Sequence, residues 1–184
     1  MEVLPFEELA KKYSYLAPGG HYSPKTCKPL NKLAVIIPYR DRASHLHVLL
    51  NNMHPFLTDQ FLDYSIIVVE QASNQTFNRG KLLNVGFVEA MKLYEWDCVL
   101  LHDVDLLPED RRNLHVCKRY DYTMSLDIDW PPCEQHPISD NDRLAYNGMF
   151  GTSSMLSTAQ FRKVNGLSNR FWGWGGEDDD LYTR

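Results

Sequence analysis

Three short apolar runs, two followed by helical repeats and the third by a cluster of charge, constrain this chain more than any other feature. Leu33-Ala34-Val35-Ile36-Ile37 is continuous, β-branched in part and ended by Pro38, which is the pattern of a strand buried on both faces. From His45 to Leu57, the residues Leu46, Leu49, Leu50, Met53 and Leu57 recur at helical spacing. Tyr64 to Glu70 repeats the strand signal, and Asn84 to Leu93, with Val85, Val88, Ala90 and Met91, repeats the helix. Cys98-Val99-Leu100-Leu101 is the third run and stops at His102-Asp103-Val104-Asp105. Parallel neighbours need a crossover connection, so this alternation specifies an α/β sandwich on a largely parallel central sheet flanked by helices. Ligands of such sheets sit beyond the carboxyl ends of the strands, and the loops after Ile37, Val69 and Leu101 are expected to share one crevice.

The remainder is less regular. Residues 1–31 have weak periodicity and are set apart as a preceding segment, with the main domain expected over 32–184. From Glu109 to Leu144 the chain is polar and carries Pro131-Pro132 and Pro137, so long loops are expected around one strand candidate at Tyr122–Leu126. A short helix is expected over Phe161–Gly166, before an aromatic and acidic loop from Trp172 to Asp180. A chain of 184 residues can bury roughly 70% of its unfolded surface, enough for one domain with an apolar core. The net charge of −5 and the scattered Lys and Arg argue against nucleic acid as a partner. No run approaches the roughly 20 apolar residues that span a bilayer, and the start MEVLPFEELAKKYSYL is too charged for a signal peptide. Cys27, Cys98, Cys117 and Cys133 form no CxxC pair and permit an oxidising compartment. Asn74-Gln75-Thr76 is an N-glycosylation sequon, compatible with a secretory route.

Two motifs carry most of the chemistry. Asp103-Val104-Asp105 puts two carboxylates two positions apart behind a buried strand, where extended backbone turns both to one face. Such oxygens suit a hard divalent cation shared with a diphosphate, although an isolated pair of this kind is more often an exposed acidic loop. Trp172-Gly173-Trp174-Gly175-Gly176-Glu177-Asp178-Asp179-Asp180 combines sugar-stacking indoles with four consecutive acids, a composition that suits neither a core nor a helix. Mutual repulsion among the acids is expected to raise at least one of their pKa values toward general-base use. The alternative is a solvated acidic loop with a packed Trp, or a calcium site. Arg40, Arg42, Arg79 and Lys81 suit phosphate oxygens and Phe77 suits a nucleobase, if the loops meet; singly, each reads as a surface or packing residue. His45 and His47 point to different helix faces, and His102 is expected to be structural.

Taken together, Ile36-Ile37-Pro38-Tyr39-Arg40-Asp41-Arg42, Phe77-Asn78-Arg79-Gly80-Lys81-Leu82-Leu83-Asn84-Val85-Gly86-Phe87, Asp103-Val104-Asp105-Leu106-Leu107-Pro108 and Phe171 to Asp180 resemble the β-1,4-galactosyltransferase family in content and order. The resemblance implies a nucleotide-diphospho-sugar transferase fold of the GT-A type and an inverting, Mn2+-dependent transfer. The sugar is galactose or N-acetylgalactosamine, carried from UDP-galactose or UDP-N-acetylgalactosamine to the 4-hydroxyl of an N-acetylglucosamine-terminated acceptor. It also implies residence in the Golgi lumen as part of a type II membrane protein whose anchor lies upstream. By position, Pro38, Arg40, Arg42, Phe77, Arg79, Asp103 and Trp174 take donor-binding roles, with Trp174 on the family's closing loop. Asp105 takes the metal, and Asp178 is the catalytic base. Tyr146, Glu177 and Asp179 fall on the acceptor side, and Met149 stands where the family sets donor specificity.

Cys98 and Cys117 have the spacing of a family disulfide, Cys27 matches a cysteine whose partner lies upstream, and Cys133 has no counterpart. Family members continue past the acidic motif with further metal ligands, so the chain reads as a fragment expected to bind metal weakly and to turn over poorly by itself. A non-catalytic sugar- or nucleotide-binding pseudoenzyme is the rival reading.

Overall fold

The computed structural model describes residues 3–29, 31–72, 74–108, 115, 117, 151 and 153–184. In chain order the elements are α1 (Phe6–Lys12), β1 (Lys32–Tyr39), α2 (Ala43–Asp59), β2 (Asp63–Glu70), α3 (Arg79–Leu93), β3 (Cys98–His102), β4 (Ser153–Ser157), α4 (Thr158–Lys163) and α5 (Glu177–Tyr182). The sheet order is β2-β1-β3-β4. β1 is parallel to both β2 and β3, and β4 closes the far side antiparallel to β3. The expected mixed, mainly parallel α/β sandwich is what forms.

Period-two alternation along β1 explains why helices cover both faces. Leu33, Val35 and Ile37 turn to one side and pack with Leu46, Leu49, Met53 and Leu57 of α2. Ala34 and Ile36 turn to the other and pack with Leu83, Phe87 and Ala90 of α3, joined by Phe161 of α4 and Leu181 of α5. All five β1 residues are fully buried. α3 presses on the sheet at Gly86, where an added Cβ would overlap methyl groups of Ile36 and Val69. The segment ahead of β1 also packs on this body: α1 contacts α2, and Tyr22 bridges to Tyr64 of β2.

Several sequence expectations need correction. β1 does not stop at Pro38 but runs through Tyr39, because its pairing with β3 ends at Ile36–Leu101 and no β3 ladder bond is asked of the proline. Asp103-Val104-Asp105 is a turn rather than extended chain, closed by the Leu106 N–H to the Asp103 carbonyl at 3.4 Å, with Val104 buried between the two acids. The acidic run does form helix, since Glu177 to Asp180 occupy the first turn of α5, where carboxylates complement the helix dipole. The helix expected from Phe161 starts earlier, at Thr158, behind a capping box of Ser157 and Gln160. Cys98 is bonded to Cys117 as the family resemblance implied, with Cα atoms 6.0 Å apart. Cys27 is also disulfide-bonded within this chain, against the expectation of an upstream partner. The strand candidate at Tyr122–Leu126, Cys133, Tyr146 and Met149 lie outside the described residues.

Candidate active site

The strand order places the topological switch point between β1 and β3, where chain connections leave in opposite directions and the carboxyl ends open into a crevice. A cleft of about 790 Å³ lies there, within the size of small-molecule sites. Its lining brings together Pro38, Arg40 and Arg42 after β1, Phe77 and Arg79 at the start of α3, Asp103 and Asp105 after β3, and Trp174, Glu177, Asp178 and Asp179 around α5. Sequence segments more than a hundred residues apart thus meet. Tyr146 and Met149 lie outside the described residues.

One wall is cationic and aromatic. The Arg40 guanidinium lies 5.2 Å from the Phe77 ring centroid and donates from Nη1 to the Gln75 carbonyl at 2.6 Å. That contact flattens the two side chains into one surface at the cleft. Arg42 caps α2 through its carbonyl, which accepts from the Leu46 N–H at 2.9 Å, while its side chain has no hydrogen bond or ion pair among the described residues, so its charge is available to an anion. Asp41 between them takes a φ of 49°, a left-handed conformation that Asp tolerates better than most residues.

Arg79 occupies the centre. Its Nε donates to Asp103 Oδ1 at 2.6 Å and its Nη1 to Glu177 Oε1 at 3.3 Å. Glu177 is buried, and Asp178 and Asp179 follow it on the same helical turn at the cleft. The four acids therefore divide their partners: Glu177 faces Arg79, Asp178 accepts from the Asp179 N–H at 3.0 Å, and Asp180 pairs with Arg184. The Asp178 carboxylate lies against the α-carbon of Gly151, where any Cβ would overlap it. Asp105 is exposed, lines the cleft and has no partner among the described residues.

The tryptophan loop is held at its base and open at its tip. The Gly173 N–H donates to the Phe77 carbonyl at 2.8 Å, and Lys81 sits 5.8 Å from the Trp172 ring. Gly176 caps α5 with a φ of 95°, a conformation that disfavours a side chain there. Trp174 is 100% exposed, so its indole has no protein cover. His102 is buried and structural as expected: its Nδ1–H donates to the Asp103 carbonyl at 2.8 Å, and burial lowers its pKa.

Sequence reasoning missed the asparagines that hold this geometry. Asn78 caps α3 by accepting from the Lys81 N–H and donates to the Asn169 carbonyl at 2.9 Å. Asn84 donates to the Leu167 carbonyl at 2.7 Å and accepts from the Leu167 N–H at 2.9 Å. The signal for Asn78 was available, since Asn directly before a helix is a preferred cap. Nothing local in the sequence announces the partners of Asn84.

The family model described as the N-terminal region of glycosyl transferase group 7 matches residues 1–118, and that described as the N-terminal domain of galactosyltransferase matches residues 138–184. β-1,4-Galactosyltransferase 4 of Homo sapiens is 48% identical over 172 residues, covering 90% of this chain and 45% of that protein. β-1,4-Galactosyltransferase 3 of Bos taurus is 45% identical over 181 residues, covering 96% of this chain and 43% of that protein. The chain thus spans about half the length of the curated relatives it matches. Among solved structures, the catalytic domain of Drosophila β-1,4-galactosyltransferase 7 in complex with xylobiose has a TM-score of 0.64 at 31% identity, covering 84% of this chain and 60% of that one. A mutant of the same Drosophila protein in complex with manganese, UDP-Gal and xylobiose gives 0.63 at 33%.

Proposed function

The chain belongs to the β-1,4-galactosyltransferase family of glycosyl transferase group 7, and from that premise we propose that its cleft serves the inverting transfer of a galactose-class sugar from a UDP donor to a sugar acceptor. The observation that carries this reading is the meeting, in one cleft, of arginines and an aromatic ring on one wall with a free carboxylate and an acidic helix turn on the other. The Phe77–Arg40 surface receives the uracil ring, Arg42 and Arg79 receive the diphosphate, and Asp103 fixes Arg79 from below. Asp178 takes the proton of the acceptor hydroxyl as that oxygen attacks the anomeric carbon. The bond from that carbon to the UDP oxygen breaks on the opposite face, so the configuration inverts. Trp174 offers its flat face to a sugar ring.

The relative crystallised with manganese and UDP-Gal supports this donor and metal. The donor set fits a hard cation: Asp105 is an unpartnered carboxylate at the cleft and would hold Mn2+ together with diphosphate oxygens. When bound, the ion neutralises charge on the departing UDP. Among the described residues no group of three or more His, Cys, Asp or Glu forms a metal cluster, so the ion's remaining ligands come from the substrate, from water or from elsewhere in the full-length protein. We read Met149 as the residue that decides between galactose and N-acetylgalactosamine, and Tyr146 and Asp179 as acceptor contacts. Terminal β-N-acetylglucosamine is the proposed acceptor. We propose residence in the Golgi lumen behind an upstream anchor; among the described residues no helix is long and apolar enough to cross a membrane.

The test is manganese-dependent transfer by the full-length protein offered UDP-galactose and UDP-N-acetylgalactosamine with a β-N-acetylglucosaminide, beside Asp178→Asn. Loss of a general base lowers transfer by about 10²- to 10⁴-fold. An active Asp178→Asn variant removes the base assignment, and no transfer from either donor favours a non-catalytic binding protein.

A further inference from the structure

Asn74-Gln75-Thr76 is the one Asn-x-Ser/Thr triplet with a non-proline middle residue in the 184-residue sequence, and the cleft chemistry does not use it. All three residues are exposed, in the connection between β2 and α3. The Asn74 side chain has no hydrogen-bond partner among the described residues, whereas Asn78, four positions on, is 1% exposed and bonded on both sides of its amide. The backbone beside it is fixed from within: Gln71 Nε2 donates to the Thr76 carbonyl at 2.8 Å and Arg40 Nη1 to the Gln75 carbonyl at 2.6 Å. A bulky group on Asn74 therefore projects from a fixed loop without disturbing a packed side chain.

A second, independent observation bears on the compartment. Cys98–Cys117 is a disulfide and Cys27 is disulfide-bonded too, and such bonds form and persist in oxidising, secretory surroundings. Those surroundings are also where asparagine-linked glycans are attached.

We infer that Asn74 is an N-glycosylation acceptor and that its glycan stands at the rim of the cleft. The co-substrate is a polyprenyl-pyrophosphate-linked oligosaccharide, supplied with its transferase by the secretory compartment. The Asn74 amide nitrogen attacks the anomeric carbon of the oligosaccharide, a C–N bond forms, the C–O bond to the pyrophosphate breaks, and the amide proton leaves to a base of that transferase. The Thr76 hydroxyl is the recognition element of the triplet. Thr76 also marks where the glycan stands, since its methyl lies 3.9 Å from the position a Cβ on Gly173 would take, beside the tryptophan loop.

The test is glycopeptide mapping of the full-length protein secreted from, or retained in, a eukaryotic secretory host, with glycan release in heavy-oxygen water. Conversion of Asn74 to heavy-labelled Asp is expected, absent in Asn74→Gln and Thr76→Ala and kept in Thr76→Ser, which preserves the triplet. An unmodified Asn74 peptide from protein whose Cys98–Cys117 bond has formed overturns the inference. Occupancy is read by mass alone, so its outcome is separate from whether the protein transfers sugar.

Discussion

Arg79 is the residue through which the two sides of the cleft feel each other. Its partners, Asp103 at 2.6 Å and Glu177 at 3.3 Å, come from the turn after β3 and from the first turn of α5. Glu177 is 6% exposed, so its carboxylate contributes by holding that turn, with Asp178 next to it, against the guanidinium. Removing it leaves Arg79 with Asp103 as its one ion-pair partner among the described residues and unties the α5 turn from it. Glu177→Ala is expected to lower stability by about 2 kcal/mol and to reduce transfer through kcat rather than donor KM. Urea unfolding and steady-state kinetics measure the two effects, and unchanged kcat in a folded variant rules out a positioning role. This partnership was not legible in the sequence, where Glu177 reads as one acid among four. Proximity of Arg79 to Asp103 and Glu177 arises only when α3, β3 and α5 converge. By contrast, the gathering of Arg40, Phe77 and Asp103 at one crevice followed from strand ends, and Asp178 joined them only through the family resemblance.

At the scale of elements, β1 and β3 were legible because their runs are apolar on both faces and the fold buries both, whereas β2, an edge strand with Val68 exposed, was legible from its β-branched Ile66-Ile67-Val68-Val69. β4 was not, since Ser153-Ser154-Met155-Leu156-Ser157 has no apolar run and is a strand by virtue of its pairing with Cys98–His102. α1 escaped for a related reason: it has seven residues and only Leu9 buried among its non-terminal apolar positions. The contact of α3 with the sheet gives a test in which two effects oppose. Gly86→Ala gains up to about 1 kcal/mol of helix propensity. The added methyl meets Ile36 and Val69 in a packed interior, an overlap that costs about 1–3 kcal/mol. The second term is larger, so net destabilisation is expected in thermal or urea unfolding. Stabilisation would mean that α3 can lift off β1 freely.

For the whole molecule, acid and redox responses trace to two buried features. His54 lies inside the α2–sheet core with Nδ1 3.0 Å from the Tyr64 hydroxyl, and burial pushes its pKa down to about 4 from the ordinary 6.5. Between those values the unfolded chain binds a proton that the folded chain refuses. The stabilising contribution is therefore complete above pH 6.5 and is lost as pH falls toward 4, by up to about 3 kcal/mol. His54→Gln should flatten the stability curve across that window by close to one proton, as measured by urea midpoints at stepped pH. Cys98 anchors the start of β3 to Cys117, closing a loop of sequence separation 19. Cys98→Ala/Cys117→Ala should cost about 3 kcal/mol, measurable as a lower unfolding midpoint under non-reducing conditions, with the Cys27 bond still intact.

The order of the chain through the cleft has one more outcome. The cleft residues proposed to hold phosphate and nucleobase lie between residues 38 and 105, whereas the acidic helix and its tryptophan loop lie beyond residue 151. Among the described residues a single ion pair, Arg79 to Glu177, crosses between these stretches. Two stretches so sparsely cross-linked by charge can drift at different rates through descent. Under the proposed transfer, a lineage can therefore revise which sugar it decorates while inheriting its nucleotide grip unaltered, provided that Arg79 and Glu177 are passed on together.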